Sequence, residues 1–264
     1  MLQACLWRML LVSGNRRRRN DYGDEPTLSE LEEVRYLHFD SPWIQGAMSL
    51  RQPQRLCLAY TQQMMAWMLF TDLQPEQTVT QLGLGAGSIT RFCLAYLKNP
   101  LVVVERSYPV IQVCHQYFRV PLDPRLSIVE DDAAKWVADP ANRESCAVLM
   151  VDLYDRTAQG PVCDSLQFYR KCFSVLEPSG VMSVNLFGQH ESYEKNLQRI
   201  GKVFSDRLLL LPPAEEGNQV VLAFKGDAVS WNRDALMSKA EALEKTTKLP
   251  ARRWVRSLGK ITSI

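Results

Sequence analysis

Val79-Thr80-Gln81-Leu82-Gly83-Leu84-Gly85-Ala86-Gly87 reads as a buried strand running into three alternating glycines, and Glu105 closes the next apolar strand. A glycine turn after the first strand of a doubly wound sheet lets the backbone approach a ligand closely, because no Cβ intervenes. A carboxylate about twenty residues on, at the end of the second strand, sits where it can accept hydrogen bonds from both ribose hydroxyls. Gly83, Gly85, Gly87 and Glu105 are therefore the expected cofactor-binding residues. No Lys-Ser or Lys-Thr follows the glycines, which argues against a phosphate cradle of the P-loop kind. Dinucleotide enzymes prefer G-x-G-x-x-G, whereas here Ser88 opens the helix directly after Gly87. The pattern favours an adenosyl-sulfur compound over a nicotinamide dinucleotide.

Working outward from this stretch, strand and helix patterns alternate with little interruption. Strands are expected at 78–82, 101–105, 126–130, 147–152 and 180–187, with helices at 88–97, 108–118, 133–138, 164–176 and 192–204 between or after them. Two further apolar runs, Arg207 to Leu211 and Gln219 to Phe224, flank Pro212-Pro213 and read as a terminal hairpin. Such alternation means an α/β fold, a doubly wound, mostly parallel seven-stranded sheet with helices on both faces. Upstream, Val34 to Phe39 and Trp43 to Leu50 suggest a small antiparallel β flap, followed by one apolar helix from Tyr60 to Phe70. Downstream, Leu236, Ala240 and Leu243 give Asn232 to Lys245 helical spacing, most simply a helix packed on its own domain. The chain thus divides into a poorly ordered extension (1–30), a flap (31–58), a cofactor-binding catalytic domain (59–228) and a C-terminal helix with a basic tail (229–264).

Composition narrows the function classes. The chain has 264 residues, is 46% hydrophobic and carries a net charge of +2, enough for one sizeable core and too mildly basic for a nucleic-acid groove. Arg16 to Arg19 read as a solvated tail. Seven scattered cysteines without a C-x-x-C pair suggest reduced thiols in a cytoplasmic protein, and no metal site is expected. No secretory signal is convincing and no apolar run is long enough to span a bilayer, so no membrane partner is expected.

In open parallel sheets, ligands collect outside the carboxyl ends of the strands. Three strand ends here are acidic: Glu105, then Glu130-Asp131-Asp132, then Asp152 with Asp155. Asp131 could accept the exocyclic amino group of an adenine, while Asp132, before Ala133-Ala134-Lys135-Trp136, fits a helix cap. Asp152 and Asp155, three residues apart beside Glu105, would make a negative hollow suited to a protonated amine. A turn merely rich in Asp is the plainer alternative. His115 reads as a packing residue, and His190 follows the fifth strand near the expected cleft.

At these positions the chain resembles the spermidine synthases, the polyamine aminopropyltransferases, from about Val34 to Phe224. The pieces that carry the resemblance are Gly83-Leu84-Gly85-Ala86-Gly87, Val104-Glu105, Glu130-Asp131-Asp132 and Val151-Asp152-Leu153-Tyr154-Asp155, with Gly160-Pro161 and Tyr169 following. Tyr60-Thr61-Gln62-Gln63-Met64 is similar to the family's Tyr-Gln-Glu-Met helix start. The resemblance implies a Rossmann-like sheet of the class I methyltransferase type. It also implies decarboxylated S-adenosylmethionine as co-substrate, a diamine such as putrescine as acceptor and methylthioadenosine as by-product. Asp152 would be the base, with Asp155, Tyr154, Tyr60 and Gln62 on the amine, and a homodimer is compatible with it. Ala86 stands where the family carries an Asp for the aminopropyl ammonium, and Leu153-Tyr154 and Arg156 stand where it has two serines and a proline. A methyltransferase using ordinary S-adenosylmethionine, or a non-catalytic nucleoside-binding homologue, are the other readings these departures leave.

Overall fold

The structure, a computed structural model, describes residues 25–39, 43–154, 162–215 and 217–258. Asp155, Arg156, Gly160-Pro161, the Arg16 to Arg19 run and the last six residues lie outside the described residues.

The sheet that carries the glycine loop has seven strands in the order β6-β5-β4-β7-β8-β10-β9. These are β4 (Val79–Leu82), β5 (Leu101–Glu105), β6 (Leu126–Glu130), β7 (Cys146–Val151), β8 (Leu176–Phe187), β9 (Leu208–Leu210) and β10 (Asn218–Phe224). The first five run parallel, and β10 pairs antiparallel with both β8 and β9, as the expected terminal hairpin requires. The strand order reverses at β4, which puts the glycine loop at the switch point where such sheets bind ligands.

Why these residues make that sheet is clearest in β7. Cys146-Ala147-Val148-Leu149-Met150-Val151 is buried at every position, as a central strand covered on both faces must be. Alternate side chains then divide between two cores. Val148, Met150, Leu222 and Val103 pack with Ile89 and Phe92 of α2 (Ser88–Tyr96) and Val110 and Cys114 of α3 (Tyr108–Tyr117). Leu149, Val151, Val184 and Val221 pack with α4 (Ala133–Ala138), α5 (Leu166–Val175) and α6 (Tyr193–Phe204) through Trp136, Tyr169 and Phe204. Asp132 caps α4 by accepting from the Lys135 N–H at 3.0 Å, and Ser165 caps α5 by accepting from Phe168 N–H at 3.0 Å.

A separate three-stranded antiparallel sheet covers the glycine loop: β1 (Pro26–Leu31), β2 (Val34–Phe39) and β3 (Gly46–Ser49). β1 falls largely inside the stretch 1–30 expected to be poorly ordered. Its pairing with β2 turns through Glu32 and Glu33 at φ 47° and 65°, a left-handed pair that normally selects Asn or Gly, so the turn left no residue signal. β3 lies so close to the glycine loop that a Cβ on Gly46 would stand 2.6 Å from the Ala86 Cβ.

The single helix expected over Tyr60 to Phe70 is broken into α1 (Ala59–Gln63) and a 3-10 turn (Ala66–Leu69). Ser183 of β8 supplies the cause: its hydroxyl donates to the Met64 carbonyl at 2.9 Å, and Met68 N–H bonds Met65 instead. Behind this turn pack α7 (Arg233–Thr247), capped by Asn232, and α8 (Ala251–Ser257), a helix the basic tail had hidden.

Arg91 of α2 fixes the flap to the loop. Its guanidinium is buried and donates to the carbonyls of Pro53 (2.8 Å), Ala86 (2.6 Å) and Phe118 (2.6 Å), which joins the segment after β3, the glycine loop and the end of α3. Burial pulls its pKa down to about 10, so it stays charged at neutral pH. Arg91→Met should lower stability by about 2–4 kcal/mol, because two buried acceptors and one part-buried acceptor lose their donors. Urea denaturation would check this, and an unchanged midpoint would show that the guanidinium is dispensable.

Candidate active site

The carboxyl ends of β4, β5, β6, β7 and β8 open into one cavity of about 380 Å³. The flap supplies its roof through Phe39, Trp43, Ile44 and Gln45, and the sheet supplies its floor. Gly83, Gly85, Glu105, Asp131, Asp152, Tyr154 and Tyr60, all singled out from sequence, line it together. Gly87 and Gln62 do not. Gly87 is the left-handed residue before α2, and the Gln62 amide is spent on the Leu56 carbonyl at 2.9 Å. Asp155 lies outside the described residues. His190 turns onto the Ser192 hydroxyl at 2.8 Å and is not among the lining residues, and His115 bonds the Val120 carbonyl at 2.9 Å.

Glu105 is positioned by its own strand end. Its two oxygens accept from the backbone N–H groups of Leu84 (3.0 Å) and Ser107 (2.8 Å), so one carboxylate braces the glycine loop against the turn before α3. Burial pushes its carboxyl up while those N–H donors pull it back. A carboxylate has about four acceptor sites, so acceptor capacity remains for a hydroxyl presented from the cavity. Asp131 stands at the next strand end and accepts from the Asp132 N–H at 2.8 Å.

Asp152 leaves β7 directly beneath the loop. Gly83 has φ +89°, and a Cβ there would lie 2.2 Å from the Asp152 carbonyl oxygen, so only glycine lets β4 and β7 deliver their ends to one point. The Asp152 side chain is half-buried in the cavity wall, and loss of solvent there pushes its pKa up to about 6 against hydrogen bonds from Asn185 and Tyr60 that favour the charged form. The Asn185 Nδ2 donates to Asp152 Oδ1 at 2.9 Å. Tyr154 turns its hydroxyl onto the Asn185 backbone carbonyl at 3.1 Å.

Asn185, Asn218, Arg106 and Phe187 line the cavity but did not stand out in the sequence. Asn185 had a signal: it is a polar residue inside the apolar run Val181 to Phe187, where a buried amide needs partners. Ala86 is buried against Gly46 and is not a lining residue, so the family's Asp position here serves the packing of the flap. Among the described residues no group of three His, Cys, Asp or Glu is arranged to hold a metal ion, and no helix is long and apolar enough to cross a membrane.

A seven-stranded, mostly parallel sheet with a glycine loop at its switch point, and with Glu105 and Asp152 around one hollow at its strand ends, defines an α/β fold of the class I methyltransferase type. The chain belongs to the polyamine aminopropyltransferase family. It is 32% identical over 239 residues to a polyamine aminopropyltransferase of Neisseria meningitidis serogroup A, covering 89% of both chains. It is 33% identical over 222 residues to one of Chromobacterium violaceum, covering 83% of this chain and 84% of that one. No protein-family model matches it. Among solved structures, a spermidine synthase from Thermotoga maritima superposes with a TM-score of 0.69 at 18% identity over 98% of this chain and 92% of that one. A probable spermidine synthase from Corynebacterium glutamicum gives 0.68 at 18% over 96% and 95%. Both share the fold.

Proposed function

We propose that this chain transfers an aminopropyl group from decarboxylated S-adenosylmethionine to a diamine such as putrescine. The observation that carries the reading is that Glu105 and Asp152 face one cavity with the glycine loop between them. Glu105 would accept the ribose hydroxyls, Asp131 the adenine amino group, and the Gly83 and Gly85 backbone would pass beneath the nucleoside. The sulfonium carbon would then lie toward Asp152. The amine nitrogen attacks that carbon, the carbon–sulfur bond breaks with its electron pair going to sulfur, and methylthioadenosine leaves as a neutral thioether. Asp152, in its ionised form, takes the proton from the attacking nitrogen, with Tyr60 and Tyr154 walling the amine path and Asp155 receiving the far ammonium. The names of the curated relatives support this chemistry.

One observation favours a second reading. Ala86 brings no carboxylate to the cavity, so an S-adenosylmethionine that keeps its own carboxylate meets no repulsion there, and methyl transfer becomes the competing reaction. Thermal shifts separate the two, since stabilisation follows free ligand over its dissociation constant. Decarboxylated S-adenosylmethionine should raise Tm more than the ordinary form at equal concentration, and methylthioadenosine should bind. Equal or reversed shifts would transfer the assignment to methyl transfer, and no shift with any adenosyl compound would leave a protein without this substrate.

A further inference from the structure

We infer that Asn218 is a positioning residue for Asp152, acting through Asn185 by fixing which end of that amide faces the carboxylate. The inference rests on the reading of Asp152 as the base. An Asn side chain offers one acceptor oxygen and one donor nitrogen, and its neighbours decide which points where. Asn218, the first residue of β10, is buried and donates from Nδ2 to Asn185 Oδ1 at 3.0 Å. That bond occupies the oxygen of Asn185 and leaves Nδ2 to donate to Asp152 Oδ1 at 2.9 Å. The antiparallel register, Asn218 opposite Phe187 and Val220 opposite Asn185, holds the two amides side by side at the mouth of β8. The Asn218 amide also donates to the Tyr154 hydroxyl, whose own proton goes to the Asn185 backbone carbonyl, so Tyr154 sets the orientation of Asn218 in turn.

The consequence is electrostatic. A donor at Asp152 favours carboxylate, and an acceptor there favours the protonated acid. With Asn218 present, Asn185 can present only its donor; without it, the amide is free to turn its oxygen toward Asp152. Among the described residues, the titratable and charged groups around Asp152 are Tyr60 from α1 and Tyr154 from its own loop. Across the cavity stand Glu105 and Arg106 after β5, Asp131 and Asp132 after β6, and Cys163 before α5. From β8 and β10 the groups facing it, among the described residues, are the two amides. A single amide orientation thus biases a half-buried carboxyl that already sits close to its switching point.

The test reads Asp152 directly, without turnover. The protein is labelled with [13C]aspartate, the Asp152 carboxyl signal is assigned by its loss in Asp152→Asn, and the signal is titrated in the wild type, Asn218→Leu and Asn218→Ser. Removing the donor in Asn218→Leu should raise the midpoint by about one pH unit, and Asn218→Ser, which keeps a hydroxyl donor, should stay near the wild type. Should Asn218→Leu fail to fold, Asn218→Ala against Asn218→Ser makes the same comparison. An unmoved midpoint in the donorless variant, or equal shifts in the donor-bearing and donorless variants, would overturn the inference. Wild-type turnover of decarboxylated S-adenosylmethionine with putrescine, followed by methylthioadenosine release, is measured alongside. Its absence would sink the proposed reaction while leaving the Asn218 result readable.

Discussion

Asp152→Asn should lower kcat for aminopropyl transfer by about 10²- to 10⁴-fold, the usual range for a lost general base, with methylthioadenosine affinity little changed. The substitution keeps an oxygen for the Asn185 donor, and the Tyr60 hydroxyl can turn to accept from the new amide nitrogen, so the loss falls on the chemistry. The wild-type kcat/KM should fall with unit slope below about pH 6, where the half-buried carboxyl takes up its proton, and this limb should vanish in the variant. A variant that retains wild-type turnover would remove Asp152 from the role of base. The same change should make the protein more stable at neutral pH. The unfolded chain releases this proton near 3.8 and the folded chain holds it to about 6, so stability falls as pH rises between those values and is level above them. That costs the wild type on the order of 1–3 kcal/mol at pH 7. Asn escapes the cost, and the difference between the two proteins should shrink toward zero below about pH 4. Paired denaturation curves at pH 4 and pH 7.5 would show this. Equal stability at both values would mean that the carboxyl is not strained by burial.

Gly83→Ala should do more damage than its one methyl suggests. At φ +89° an L-residue is strained, and the added Cβ would meet the Asp152 carbonyl oxygen at 2.2 Å, so β4 and β7 must move apart. A stability loss of about 2–5 kcal/mol is expected, with kcat/KM down by more than about tenfold as Asp152 is displaced from the cavity. Gly188→Ala is the matched control. A Cβ there would meet nothing nearer than 3.4 Å, and its cost should stay within about 1 kcal/mol. If Gly83→Ala melts with the wild type and turns over at its rate, the close approach of the two strand ends has no functional weight.

Much of this architecture was legible because local periodicity decided it. Leu101–Glu105, Leu126–Glu130 and Ala133–Ala138 start and stop where apolar runs and a capping Asp place them. Glu105 and Asp152 were legible for the related reason that a strand end in a parallel sheet is a ligand address. The Asn185–Asn218 pair was not, because it forms only through the register of two strands more than thirty residues apart. The break after Gln63 was hidden for the same reason, since the Ser183 hydroxyl that takes the Met64 carbonyl comes from 119 residues away. Gln62 stands off the cavity lining, which a Tyr-x-Gln pattern does not reveal, because it does not show which side of a short helix meets Leu56.

The tight seat between Gly46 and Ala86 couples two parts of the chain that differ in kind, a covering sheet and the glycine turn at the cavity. A longer side chain at position 86 would need the third flap strand to retreat, and a side chain at 46 would push on the turn. An acidic residue at position 86 therefore needs a compensating shift of β3, so the choice of side chain there answers to the packing of the roof before it answers to any ligand.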